Sequence, residues 1–233
     1  MPRKLRVRPV HPALQGWPPR GIDQSKYVRP ELPSRLSHSQ KWLWFNPQRH
    51  REALLLDADF LQSLDDRTRL LEIGFGTGRF ADYLLRHTRL QPENYELLGQ
   101  ETFEEGPFLK RRVYDLVLKK KILLTRANMW THVYPRNQYN HVIVPEAYFP
   151  EWKNDLGEPL PPGAFSRLPQ EEKRRLKSEH LAAFVKRLSP SVRKGGSIRI
   201  SYFSGDLTPE AQKKLSRYFR IRQTWAGIIF DKK

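Results

Sequence analysis

The sequence predicts a Rossmann-like α/β fold, a doubly wound and mostly parallel sheet, with an extended basic N-terminal arm. Three observations carry this. From Leu70 onward, short apolar runs bounded by turn residues alternate with stretches of helical periodicity. The first of these runs leads directly into a Gly-x-Gly-x-Gly turn, and the first forty residues show neither pattern, only scattered prolines and cations. Strands that alternate with helices form parallel sheets, because each crossover helix carries the chain back over the sheet to start the next strand.

Residues 1–40 are read as the arm. From Met1 to Leu36, eight Lys and Arg stand against Asp23 and Glu31, with prolines at 2, 9, 12, 18, 19, 30 and 33. Such a segment holds too little apolar surface for a core of its own, and its prolines favour extended, polyproline-like backbone. Arg3, Lys4, Arg6, Arg8, Arg20, Lys26, Arg29 and Arg35 are its candidate RNA contacts. The competing readings are a solubility tail and an organelle-targeting leader. The prolines oppose the amphipathic helix that a mitochondrial presequence forms.

Residues 41–68 form a junction. Lys41-Trp42-Leu43-Trp44-Phe45 is an aromatic cluster that either packs on the domain or, beside Lys41 and Arg49, stacks on bases. Leu55, Phe60, Leu61 and Leu64 then recur at helical spacing, so a helix from Glu52 to Leu64 covers one edge of the sheet.

Residues 69–233 are the Rossmann domain. Strand Leu70–Ile73 is followed by helix Arg79–His87, strand Tyr95–Gly99 and helix Glu104–Leu118. That last helix ends in Lys119-Lys120-Lys121, which suits the negative end of its dipole without any RNA. Strands Ile122–Thr125 and Val142–Val144 come next, then a Pro- and Gly-rich loop and the charged helix Gln170–Leu188. A turn at Gly195-Gly196, strand Ser197–Tyr202 and helix Thr208–Phe219 lead to two closing strands, Arg220–Trp225 and Ile228–Phe230, turned at Gly227. This terminal hairpin adds antiparallel edge strands.

Forty-two Lys and Arg against 25 Asp and Glu give a net charge of +17 and a pI near 10.2. That balance calls for a polyanionic partner. No apolar run reaches the roughly 18 residues of a membrane-spanning helix, so nucleic acid is favoured over lipid, and RNA is the partner expected. The absence of cysteine excludes disulfides, Cys-ligated zinc and iron–sulfur clusters. The seven histidines show no metal-ligand spacing, and no metal is expected.

The chemistry is concentrated in Leu70-Leu71-Glu72-Ile73-Gly74-Phe75-Gly76-Thr77-Gly78-Arg79-Phe80. Glycines there let the backbone turn sharply and approach a ligand where a Cβ would collide. The second strand runs on to Glu101, 23 residues past Gly78, where Rossmann geometry sets a carboxylate beside a cofactor ribose. A dinucleotide site needs its third glycine one residue later, and an NAD-dependent oxidoreductase therefore fits poorly. An acid at Glu72, ahead of the turn, suits S-adenosylmethionine, whose ammonium end it can hold through water or backbone groups.

The run Leu71–Phe80 resembles the first motif of the tRNA (guanine-N7)-methyltransferase family, L-E-I-G-F/C-G-x-G-x-F, and Leu98-Gly99-Gln100-Glu101 resembles that family's second-strand G-I-E. The resemblance covers about Leu70 to Ser204 and implies a class I S-adenosylmethionine-dependent methyltransferase fold. Glu72, Gly74, Gly76, Gly78 and Glu101 then stand at the cofactor, with Glu101 on the ribose. The family's acid after strand three, which binds adenine, is replaced by Ala127-Asn128, leaving Asn128 as the base contact.

Its catalytic F-P-D-P-W is replaced by Phe149-Pro150-Glu151-Trp152, one proline short and without the following His-rich cluster, which leaves Glu151 as the candidate carboxylate. The C-terminal T-x-x-E-x-K motif is missing. Methylating guanine N7 needs little beyond positioning, so it fails when positioning residues are lost. The expectation is a divergent, RNA-binding member of the methyltransferase fold with catalysis reduced or lost. It would be a component, with other proteins, of a ribonucleoprotein such as the mitochondrial ribosome or its assembly particle. An active tRNA or rRNA (guanine-N7)-methyltransferase is the alternative. The matching compartment is the mitochondrial matrix, with the cytoplasm as the alternative.

Overall fold

The computed structural model describes residues 58–75, 78–99, 111–145, 163–201, 207–224 and 227–233. The arm, the aromatic cluster at 41–45, and Gly76, Glu101 and the loop bearing Glu151 lie outside these.

A seven-stranded sheet organises the domain: β1 (Leu70–Ile73), β2 (Tyr95–Gly99), β3 (Leu123–Arg126), β4 (Tyr139–Val144), β5 (Val192–Ser201), β6 (Phe219–Thr224) and β7 (Gly227–Lys232). Their order across it is β3-β2-β1-β4-β5-β7-β6. Strands β1 to β5 pair in parallel, and β7 runs antiparallel to both β5 and β6. All four residues of β1 are buried, since a central parallel strand is covered on both faces.

Helices α1 (Ala58–Ser63), α2 (Arg79–His87) and α3 (Arg111–Leu118) lie over one face. There Phe60, Leu64, Phe80, Leu84 and Val113 bury Leu70, Leu97 and Ile143. After a short turn of helix, α4 (Ala164–Arg167), helices α5 (Gln170–Leu188) and α6 (Pro209–Ser216) cover the other face. On α5, Leu181, Phe184, Val185 and Leu188 share one side, and they bury Leu71, Ile73, Val142 and Ile198. Glu171 and Glu172 in its first turn and Lys186 and Arg187 in its last complement the dipole. Two separate apolar layers thus hold one sheet, as a doubly wound fold requires.

The sheet is the doubly wound, mostly parallel one expected, but of the terminal hairpin's two expected antiparallel edge strands only β7 is antiparallel, and it lies inside the sheet, with β6 at the edge running parallel to β5. Two local expectations change. Helix α6 stops at Ser216, before Phe219 enters the core as the first residue of β6. Gly195-Gly196 is an irregularity inside β5 and not a turn ahead of it: the pairing jumps from Tyr139↔Val192 to His141↔Ser197. Gly195 has φ +78°, and a Cβ on Gly196 would collide with the Asn140 carbonyl oxygen and come within 2.9 Å of Val192 Cγ1. The glycine pair reads as a turn in sequence because close strand approach needs the same residue.

Candidate cofactor site

The strand order reverses between β1 and β4: chain connections from β1 run outward to β2 and β3, while those from β4 run outward to β5. In open α/β sheets the crevice beyond the carboxyl ends of such strands is where ligands bind. Gly74 follows β1 there, Pro145 follows β4, and Gly99 ends β2.

The turn after β1 is built on left-handed backbone. Gly74 has φ +73° and Gly78 φ +68°, a region that other residues enter only at a cost, and Gly78 is the N-cap of α2. The Gly74 N–H donates to Leu98 O (2.8 Å), tying the turn to β2, and the Gly78 N–H donates to Phe75 O (2.8 Å), closing it. α2 thereby begins at the rim of the crevice with its amide groups towards the turn. Phe75, which the sequence did not single out, lies against the Gly99 backbone. A Cβ at Gly99 would fall 2.7 Å from its ring, so the glycine leaves room for the aromatic beside the strand that leads to Glu101.

Glu72 exposes no surface. It is fully buried beneath α2, where Tyr95 Oη donates to its Oε2 (2.6 Å) and Oε1, near the Ala81 amide, meets no donor at hydrogen-bond geometry among the described residues. Desolvation pushes its carboxyl up to about 8, against the pull of the Tyr95 hydroxyl and the Ala81 amide. The same burial and the neighbouring carboxyl hold the Tyr95 phenol far above its ordinary value. Tyr95 is the missed partner of Glu72; the only hint in sequence is an aromatic hydroxyl at the start of a strand that pairs Leu70 with Tyr95.

Asn128 follows β3, and the Ala127 N–H that precedes it donates to Gly99 O (3.0 Å), so Asn128 stands at the carboxyl edge beside β2. Its Oδ1 accepts from the Trp130 N–H (2.8 Å), and its carbonyl accepts from the Thr131 and His132 amides. Its acceptor atom braces the loop, which leaves the Nδ2 donor for the base contact expected of it. The structure thus brings Gly74, Gly78 and Asn128 to one edge of the sheet and buries Glu72 behind it.

Two polar clusters lie away from this edge. On the α5 side, Glu96 accepts from Thr125 Oγ1 (2.7 Å) and Tyr139 Oη (2.5 Å), which stitches β2, β3 and β4. On the other side, the Arg199 guanidinium lies 3.8 Å from the Phe60 ring centre, and His141 Nδ1 is 3.0 Å from Ser197 Oγ. Burial first, and then Arg199, push His141 down to about 4.

No protein-family model matches the sequence, and no curated protein matches it. Solved structures with a similar fold include the S-adenosylmethionine-dependent methyltransferase SibL in its apo form, at 13% identity over 85% of this chain and 60% of that one, with a TM-score of 0.50. Others are the tRNA (m1A58) methyltransferase TrmI from Aquifex aeolicus (12% identity, 73% and 64% coverage, TM-score 0.42) and an S-adenosylmethionine-dependent methyltransferase from Mesorhizobium loti (12%, 57% and 45%, 0.35). This chain spans less than two thirds of the length of each. The likeness to SibL is one of fold.

Proposed function

We propose that the chain is an RNA-binding protein of the class I methyltransferase fold that holds S-adenosylmethionine at the β1–β4 switch point. We further propose that it serves as a component of a ribonucleoprotein, such as a mitochondrial ribosome or its assembly particle, with methyl transfer reduced or lost. One observation carries the cofactor assignment: the left-handed Gly74 and Gly78 frame a turn at the carboxyl end of β1, with a buried acid behind it. These residues fit the group. Gly74 and Gly78 bring backbone without a Cβ to the turn, Glu72 Oε1 lacks a hydrogen-bond partner among the described residues just behind it, and Asn128 stands at the same edge with its side-chain amide as a donor. When bound, the cofactor supplies an electrophilic methyl group on a sulfonium.

The RNA assignment is supported by the net charge of +17 and by the basic arm. Reduced catalysis is supported by the altered Phe149–Asp155 loop. A second reading, an active RNA (guanine-N7)-methyltransferase with Glu151 as its carboxylate, is favoured by the intact glycine turn, which a scaffold alone would not need.

Transfer of labelled methyl groups from S-adenosylmethionine to total tRNA and rRNA separates the two. RNA retention without transfer is expected. Incorporation at guanine N7 that disappears in Glu151→Gln would replace the first reading by the second.

A further inference from the structure

The charge of the folded domain is divided sharply along the chain. Residues 58–169 carry fifteen Lys and Arg and fifteen Asp and Glu, a net charge of zero, whereas residues 170–233 carry sixteen against six. The whole excess of the domain therefore lies in α5, β5, α6, β6 and β7. Such asymmetry marks a surface and not merely a soluble protein.

A groove of about 450 Å³ runs along that half, between α5 and α6. Each helix follows the carboxyl end of one strand and precedes the amino end of the next parallel one, so both run from the cofactor edge of the sheet to the opposite edge. The Thr208 N–H donates to Ser178 Oγ (2.8 Å), which fixes the start of α6 against the middle of α5. Ala182, Ala183 and Ala211 line it with small side chains, beside the larger Leu215.

The walls carry opposed charges only at one end. Arg175 is held by Glu172 (2.7 Å) and Glu179 (3.1 Å), and Glu210 lines the groove at the start of α6, so this end carries no excess of cations. At the far end, Lys186, Lys214 and Arg217 stand with no ion pair among the described residues, beside Tyr218, a residue 49% exposed. Cations set along a channel with an accessible aromatic match an unpaired strand: phosphates meet the cations and a base stacks on the ring. A duplex, far wider than the space between two packed helices, cannot enter.

The geometry points to the α5–α6 groove as a binding site for single-stranded RNA, entered at Tyr218 and leading towards the cofactor edge. This rests on the RNA-binding reading above.

The test uses the full chain, a fluorescein-labelled oligouridylate 20-mer and a 20-base-pair RNA duplex, with affinity measured across a salt series. Lys186→Glu/Lys214→Glu/Arg217→Glu is expected to weaken single-strand binding at least tenfold and to flatten the log–log salt slope by about 2, at about 0.7 per phosphate contact. Tyr218→Ala is expected to cost about fivefold or more with the slope unchanged. Reversing Arg89, Lys119 and Lys121, on the neutral half, makes the same change in net charge and should cost less than threefold. Should the charge-reversal variant not fold, replacement of the same three residues by Gln tests the claim with an expected slope change in the same direction. Parent-like binding by the groove variants overturns the groove while leaving the RNA reading intact. So does equal weakening of duplex and single strand. Failure of the parent to bind either RNA overturns both, and titration with S-adenosylmethionine reports on the cofactor site separately.

Discussion

Between pH 4.5 and about 8 the buried Glu72 carboxyl keeps a proton that the unfolded chain gives up. Folding then binds the proton, so this group stabilises the protein fully at low pH, and its contribution is lost as pH rises through that window. The amount is on the order of 3–5 kcal/mol at its limit. His141 acts in the opposite sense: its folded value near 4 lies below its ordinary 6.5, so its contribution is present above 6.5 and lost as pH falls towards 4. From pH 6.5 to 8 Glu72 dominates of the two. Parent protein is expected to lose thermal stability over that interval, and Glu72→Gln to flatten the loss, as read by melting temperature at a series of pH values. A parallel decline in both would show that Glu72 is ionised in the fold. Tyr95→Phe removes the Tyr95 hydrogen bond to this carboxyl and should cost about 1–3 kcal/mol by denaturant unfolding at pH 6. None of this was legible in the residue itself. An acid ahead of a glycine turn reads as a ligand contact, and only the packing of α2 over β1 shows that it is sealed away.

At the scale of elements, the helix ends show where local chemistry is strained or satisfied. α3 closes with the Lys121 N–H on Leu116 O (2.9 Å) and the Lys120 N–H on Val117 O (2.9 Å), and Lys120 takes the left-handed conformation with φ +54°. A side chain there costs about 1 kcal/mol, so Lys120→Gly is expected to raise unfolding free energy by roughly that amount. The three lysines read as a dipole match, and the middle one also carries this strain. Gly196→Ala should act in the other direction, costing about 2 kcal/mol or more in chemical denaturation, because its Cβ meets the Asn140 carbonyl of the neighbouring strand. Helix Gln170–Leu188 was legible to the residue because its apolar face, its acidic start and its basic end agree. The glycine pair in β5 was not, since a turn and a close strand contact ask for the same side chain.

Across the whole molecule, the apolar runs of β1, β2 and β4 and the helices between them make the parallel sheet legible in the sequence. The placing of β7 between β5 and β6 was not, because the two arms of a hairpin carry similar apolar patterns and nothing local decides which one pairs with β5. The site was legible in part: Gly74 and Gly78 stand where the motif puts them, while Phe75 and Tyr95 emerge only from contacts between strands. The charge divides into an arm and the basic C-terminal half of the domain. Deleting residues 1–40 is therefore expected to weaken RNA binding and flatten its salt dependence without abolishing it, as measured by the same salt series.

The central claim is that the turn between β1 and α2 holds S-adenosylmethionine, and calorimetric titration of the full chain with that compound tests it most directly. Saturable binding at one site per chain, lost in Gly76→Val and weakened at least tenfold in Glu101→Ala, is the expected result. The absence of binding heat from a protein shown to be folded would contradict it, leaving the switch point as a structural feature of an RNA-binding scaffold.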